Sequence, residues 1–511
     1  MTDQQLPFGE IWFVDFEFRA DDGELPWVVC MVARELKSGR EIRLWRDELI
    51  ALREAPFDTG PSSLFVAFFN SAEFGCFLEL GWPLPNKAVD LFVEHRVETN
   101  GLTLLTGNSL LGAMAHRGLP HIDAVEKDSM RNLICGQTAW SETEKQQILE
   151  YCASDVRALA ALFPRIAPSI DWPRAILRGR YMSAVARMER AGVPIDQNIH
   201  RALVDNWDSL KVRLIAEVNA GFDVYEGTTF KVARFSEYLS INGIQWPRLP
   251  SGALRLDDDT FGTQTKLWPQ LRPLHELRTT LSGLRLASLA VGKDGRNRTL
   301  LSPFRSVTGR NQPSNSQFIF GPAKWMRGLI KPPEGFGLAY IDFSSQEIGI
   351  AAALSGDELL IKGYLEGDPY LAFAKAARLV PDDATKQSHK SIRDRCKAVV
   401  LGVNYGMGAD ALAATAGITV AEAKELLRIH RNTYRKFWQW MDNTVSAAML
   451  SSKIQTVFGW QQRIGRDSNP RSLMNFPMQA NGAEMLRIAC VSAWNKDPVF
   501  GVIGIQSGPR H

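Results

Sequence analysis

Residues 393–406 read Arg-Asp-Arg-Cys-Lys-Ala-Val-Val-Leu-Gly-Val-Asn-Tyr-Gly, and Arg393, Lys397, Leu401 and Tyr405 recur at every fourth position. A step of four drifts by about 40° per repeat on a helix of 3.6 residues per turn, so these side chains form one slowly winding stripe. Two cations at one end suit a triphosphate, and an apolar then an aromatic group suit a sugar and a base. An amphipathic helix with a charged start and a buried end would show the same pattern, so the surrounding sequence has to decide.

Upstream, residues 305–333 carry Arg305, Arg310, Lys324, Arg327 and Lys331 and no acid. Such a run is either a solvated face or a track for a phosphate backbone. Leu338-Ala-Tyr-Ile-Asp342 then reads as an apolar strand ending in an acid, followed by a polar turn and Glu347 at the start of a helix. An acid at a strand end beside a basic tract can hold a metal that bridges to phosphate oxygens.

A second acidic group lies near the N-terminus, in Ile11-Trp-Phe-Val-Asp-Phe-Glu-Phe18. In a strand, residues two apart share a face, so Asp15 and Glu17 project together. Adjacent carboxylates repel unless a cation lies between them, and a hard divalent ion is the natural partner. An exposed strand with two solvated acids would read alike, but further acids follow. Tyr151 and Asp155 are four apart in a helical pattern, and Asn70-Ser-Ala-Glu73-Phe and Asp90 lie between.

The chain has 511 residues, 59 Lys plus Arg against 56 Asp plus Glu, 45% hydrophobic and 23% charged residues. That length predicts three to five globular domains and excludes a small binding module. No apolar run is long enough to span a membrane and no leader pattern opens the chain, which predicts a cytoplasmic protein. Six cysteines without a close pair argue against a zinc ribbon or disulfide framework. A net charge of +3 decides nothing about nucleic acid.

The D-x-E, Asn-then-acid and Y-x-x-x-D segments resemble the three motifs of the DEDDy 3'-5' proofreading exonucleases. The resemblance implies an RNase H-like domain in which Asp15, Glu17, Glu73 and Asp155 hold two magnesium ions, manganese being the alternative, and Tyr151 orients the attacking water. Glu73 departs from the pattern, which has Asp preceded by an aromatic. Asp90 is the fallback, with a buried structural acid as its other reading.

The remainder resembles the family A DNA polymerases. The match implies a mixed α/β (α+β) architecture, the exonuclease domain preceding a right hand of palm, thumb and fingers. Expected boundaries are 1–168 exonuclease, 169–300 palm entry and thumb, 301–355 palm, 356–455 fingers and 456–511 palm. By this resemblance Asp342 binds catalytic magnesium, Glu347 excludes a ribose 2'-OH, and Arg393, Lys397, Leu401 and Tyr405 receive the nucleotide. Lys397 also suits protonation of the leaving group. Thr308-Gly-Arg310 and Arg471, Asn475 and Gln479 resemble DNA-contacting segments; Arg310 and Gln479 suit the near-uniform acceptors of the minor groove. Leu401 stands where Phe or Tyr is usual. The implied partners are primer-template DNA and deoxynucleoside triphosphates, with a monomer expected and replisome partners open.

One family element is missing. Val502-Ile-Gly-Ile-Gln506 looks like the strand leading to a second palm acid, but Ser507-Gly-Pro-Arg-His511 follows. A truncation or frame shift is the expected cause. Two readings follow: a proofreading DNA polymerase, or an exonuclease on a polymerase-like body with impaired synthesis. An RNase D-like enzyme would not account for the 393–406 stripe. Too few residues precede Asp15 for a 5'-nuclease domain, so no flap cleavage is expected.

Overall fold

The computed structural model describes residues 6–120, 124–283, 288–321, 324–465 and 468–496. Strand β1 (Ile11–Arg19) is the centre of the N-terminal unit. Trp12, Val14 and Phe16 enter one apolar core and Ile11 and Phe13 the other, which is why the run has almost no polar alternation before Asp15. β2 (Trp27–Glu35), β3 (Glu41–Trp45), β4 (Leu64–Ala67) and β5 (Ala88–Asp90) complete a sheet of order β3-β2-β1-β4-β5. The β1, β2 and β3 pairings are antiparallel, while β1, β4 and β5 are parallel. Asp15 lies opposite Val32 and Glu17 opposite Cys30, and the register shifts immediately after Glu17. Such a bulge bends the strand where its acids emerge.

The Glu142–Ile166 helix covers one face of the sheet through Ile148, Cys152, Val156, Leu159 and Phe163. The Asn70–Leu80 and Trp172–Ala191 helices lie over the other face. Three prolines between the sheet unit and the following helix are absorbed into regular structure. Pro164 lies inside a helix, Pro168 in the turn Ala167–Ser169, and Pro173 in the first turn of Trp172–Ala191, whose start Asp171 caps. Trp172–Ala191 then returns against β5. A Cβ on Gly179 would collide with the Ala88 carbonyl oxygen, so glycine permits the approach. One residue earlier, Arg178 forms a bidentate buried pair with Glu94, at 2.8 and 2.7 Å.

The Trp172–Ala191 helix ends at Gly192, beyond which Val193–Pro194 pairs with Arg296–Asn297. Beyond it, Trp207–Asn219 and Arg272–Gly283 flank a separate small core containing Ile215, Tyr225, Phe235, Phe261 and Leu274. A fourth core gathers Phe373, Val399, Val403, Leu412 and Phe437 from successive helices between Gln346 and Ser451. The helix Pro470–Lys496 returns to touch both Gln346–Ser355 and Trp172–Ala191. No helix among the described residues is long and apolar enough to cross a membrane.

The strand expected at 338–342 is not formed. Leu338, Tyr340 and Ile341 are 59%, 77% and 92% exposed, and this segment has no ladder. A strand is stabilised by its neighbours, and no described segment pairs with it. The expected companion at 502–506 lies outside the described residues.

The Arg178–Glu94 pair provides a stability test. Arg178→Met alone should cost about 3–5 kcal/mol in chemical denaturation by leaving Glu94 buried and uncompensated. Arg178→Met with Glu94→Leu should recover most of that loss; equal loss in single and double variants would mean that burial of charge is not the cause.

Candidate functional sites

Two clusters gather the residues singled out in the sequence. In the first, ligand atoms of Asp15, Glu17 and Cys152 all lie within 4.8 Å of one another. The strand spacing puts both acids on the face that meets the Glu142–Ile166 helix, and that helix contributes Tyr151, Cys152 and Asp155. The Cys152 thiol donates to the Asp15 carbonyl oxygen and to Asp15 Oδ2, at 3.2 and 3.4 Å. Glu73, in the first turn of Asn70–Leu80, is buried, and its Oε2 accepts from the Phe16 amide at 3.0 Å. That bond fastens Glu73 between the two strand acids.

Asp90 is committed elsewhere. It caps the Leu91–Thr99 helix through the Phe92 and Val93 amides and also accepts from Phe69 and Asn70 at 3.0 and 2.7 Å. This favours its structural reading and leaves Glu73 beside the strand acids. Sequence reasoning missed Cys152, although its place between Tyr151 and Asp155 was visible. It also missed Lys127, whose Nζ lies 3.0 Å from Asp155 Oδ2 and 5.8 Å from the Tyr151 ring centroid. Lys127 belongs to a separate helix, Ala124–Gly136, and no local spacing points to the contact.

Electrostatics mark this cluster. Burial first, then Asp155, pushes the Asp15 carboxyl up to about 8. Burial and neighbouring acids hold Glu17 and Glu73 well above the ordinary carboxylate range. Burial, followed by Asp155, Glu17 and Asp15, raises the Tyr151 phenol, so it stays protonated. The oxygen-rich donor set with excess negative charge fits a hard divalent cation, with Cys152 as an added soft neighbour.

The second cluster is built on the Gln346–Ser355 and Lys390–Asn404 helices. Glu347 Oε1 receives Arg310 Nη2 at 3.3 Å and the Tyr405 hydroxyl at 3.4 Å, while Gln479 also bonds Tyr405. Glu347 Oε2 and Asn475 Oδ1 are buried without hydrogen-bond partners. Gly406, at φ 64°, admits the Arg471 backbone, whose oxygen would lie 2.9 Å from a Cβ there. Arg393 and Lys397 sit 5.3 and 5.8 Å from the Tyr370 ring centroid, and Arg393 Nε donates to Asp368 Oδ2 at 2.5 Å. Leu401 lies partly buried farther along the same helix. Asp368 and Tyr370 were missed because the sequence separates them from Arg393.

Asp342 is not drawn into this cluster. It is exposed and has no hydrogen-bond or ion-pair partner among the described residues. Neither does any metal-ligating trio of acids, histidines or cysteines include it among those residues. The missing strand is the reason: without a ladder, nothing holds its carboxylate toward the helices.

Residues 265–496 match the family model for DNA polymerase family A. This region resembles a family A DNA polymerase domain. A thermostable DNA polymerase I of Thermus filiformis is 26% identical over 357 residues, covering 66% of this chain and 42% of its own length. The DNA polymerase I of Chloroflexus aurantiacus is 24% identical over 388 residues, covering 70% of this chain and 41% of its own length. The chain thus covers about two fifths of each of these relatives. The solved POL domain of Pol1 from M. smegmatis, in complex with DNA primer-template and dNTP, shares the fold at a TM-score of 0.69 and 18% identity. That likeness covers 96% of this chain and 86% of the solved one. The matched segment contains every residue of the second cluster.

Raised carboxyl pKa values give the first cluster a pH signature. An unfolded Asp ionises near about 4, whereas folded Asp15 retains its proton up to about 8. Between these values the folded chain binds more protons, so this group makes stability fall as pH rises. A cation that binds the ionised acids opposes that fall. Manganese should therefore raise Tm more at pH 8 than at pH 5.5, and Asp15→Asn should lose the difference. Lys127→Met, by removing a competing ammonium, should shift the response to lower manganese concentration. Equal increments at both pH values in calorimetry would count against this account.

Proposed function

We propose that the chain extends DNA primers on a template, transferring deoxynucleotides to a primer 3'-OH, and removes 3'-terminal nucleotides at the N-terminal cluster. The polymerase half rests chiefly on the family A match together with the Arg310, Glu347, Tyr405 and Gln479 contacts. The excision half rests on the convergence of Asp15, Glu17, Glu73, Tyr151 and Asp155. The sheet order β3-β2-β1-β4-β5 supports an RNase H-like domain.

On this reading, residues 1–168 form the exonuclease, 169–300 palm entry and thumb, 301–355 palm, 356–455 fingers, and 456–511 the returning palm. Asp15, Glu17, Glu73 and Asp155 hold divalent cations, magnesium or manganese. A cation bound there supplies Lewis acidity toward the terminal phosphodiester. The neutral Tyr151 hydroxyl orients the attacking water, and Glu73 keeps its orientation through the Phe16 amide. Duplex DNA lies against Arg310, Arg471, Asn475 and Gln479, which supply donors and neutralise phosphate charge.

The incoming deoxynucleoside triphosphate is received on the Lys390–Asn404 helix. Arg393 and Lys397 neutralise its phosphates, with Asp368 and Tyr370 holding those cations at the start of the stripe. Glu347, tethered by Arg310 and Tyr405, closes the space beside the sugar against a 2'-OH; Leu401 lines the path toward the base. On this reading Lys397 donates a proton to the leaving pyrophosphate. Asp342 belongs to no trio of metal-ligating side chains among the described residues.

That exposed Asp342 favours a second reading, in which excision is intact and synthesis impaired. Primer extension run beside digestion of a mismatched 3' end separates the two: ordinary extension rates would exclude the second, and excision alone would exclude the first. Asp155→Ala should lower excision by about 10- to 100-fold or more while leaving primer-template binding intact. Lys397→Ala should lower single-nucleotide incorporation by about 10- to 100-fold with excision unchanged, as loss of a charged contact predicts. Undiminished excision by Glu73→Gln would remove Glu73 from the ligand set.

A further inference from the structure

The loop that carries Thr308-Gly-Arg310 is held both by the N-terminal unit and by residues late in the chain. Its turn is closed internally: the Arg310 amide donates to Ser306 Oγ at 2.7 Å and the Gly309 amide to the Ser306 oxygen at 2.9 Å. Asn100 ends the Leu91–Thr99 helix of the N-terminal unit and is fully buried. Its Nδ2 donates to the Val307 oxygen at 2.7 Å and to the Gln461 oxygen at 2.8 Å, while its Oδ1 accepts from Arg96 at 3.0 Å. Both amide hydrogens face carbonyls and the oxygen faces a guanidinium, so the side chain has one satisfying orientation.

Val307 is a shared point. Its carbonyl also accepts from Trp460 Nε1 at 2.9 Å, and the Trp460 ring lies against Gly309, where a Cβ would be 3.0 Å away. Arg96 adds a bond to the Arg305 oxygen at 3.1 Å, and Arg487 donates to the Gly309 oxygen at 2.7 Å. Arg310 follows directly and reaches Glu347. The carbonyl three residues before this arginine is thus gripped by a residue some two hundred positions earlier.

We propose that Asn100, supplied by the sheet unit, is a positioning residue for primer-template binding, acting through the Val307 carbonyl on the loop that presents Arg310. The proposal rests on the reading of Arg310 as a DNA contact. Its consequence is that the N-terminal unit supports the grip on primer-template independently of its own acidic cluster.

Fluorescence anisotropy with a labelled primer-template, using the full chain, tests it without requiring synthesis. Asn100→Ala should weaken binding by about tenfold, the scale of a lost buried hydrogen bond with its partner left unpaired. Trp460→Phe, which keeps an aromatic side chain but deletes the indole N–H donated to the same carbonyl, should act in the same direction by about threefold to tenfold. Digestion of single-stranded 3' ends should be unchanged in both variants, which also monitors folding.

The deciding readout is coupling: combined with Arg310→Ala, neither substitution should add its full effect, because both act through Arg310. Additive losses, or normal binding by both Asn100→Ala and Trp460→Phe while Arg310→Ala binds weakly, would overturn the positioning role alone. Normal binding by Arg310→Ala would overturn the DNA-contact reading, and the proposal with it. Should Asn100→Ala fail to fold, the Trp460→Phe and Arg310→Ala pair decides the same question.

Discussion

Burial of β1 on both faces is the constraint from which the rest of the arrangement follows. Its alternating side chains enter two different cores, one shared with the Glu142–Ile166 helix and one continuous with Trp172–Ala191 and Pro470–Lys496. A shift of one residue would exchange those two faces and turn both acids away from Tyr151 and Asp155. Apolar burial therefore sets the register, and the register sets where negative charge accumulates. The bulge after Glu17 ends the regular ladder where the charge begins.

The core that starts on β1 does not stop at the sheet unit. Phe16, Phe77 and Tyr181 belong to the same apolar cluster as Phe304, Trp460 and Phe476. Close helix contact at Gly179, the buried Arg178–Glu94 pair and Asn100 all reinforce that continuity. Such an arrangement couples the two halves by shared packing and satisfied polar groups, both of which resist small displacements. The two candidate sites consequently belong to one framework although their chemistries differ.

Charge is handled differently in the two clusters. Around Asp15 the acids outnumber nearby cations, and Lys127 compensates only part of the excess. Around Glu347 and Arg393, Arg310 pairs with Glu347 and Arg393 with Asp368, yet buried acceptors on Glu347 and Asn475 remain unmatched. Excess charge suits a cation and unmatched buried acceptors suit a polar ligand. Near-neutral net charge is the sum of these local imbalances.

By itself the sequence determined the elements with strong local periodicity: β1, the Glu142–Ile166 helix and the four-residue stripe on Lys390–Asn404. It also marked most residues of both clusters, because a strand repeat of two and a helical step near four place side chains on one face without outside help. Tertiary structure decided what depends on distant partners. Lys127 and Cys152 join the acids by helix-to-sheet contact, Asp90 turns out to be a cap, and Asp368 and Tyr370 reach the stripe from another helix. Leu338–Asp342 has the composition of a strand but no ladder among the described residues, since pairing is supplied by a neighbour and cannot be encoded in the segment alone. Asn100 carries no motif at all; its importance arises where a helix end meets a carbonyl some two hundred residues away.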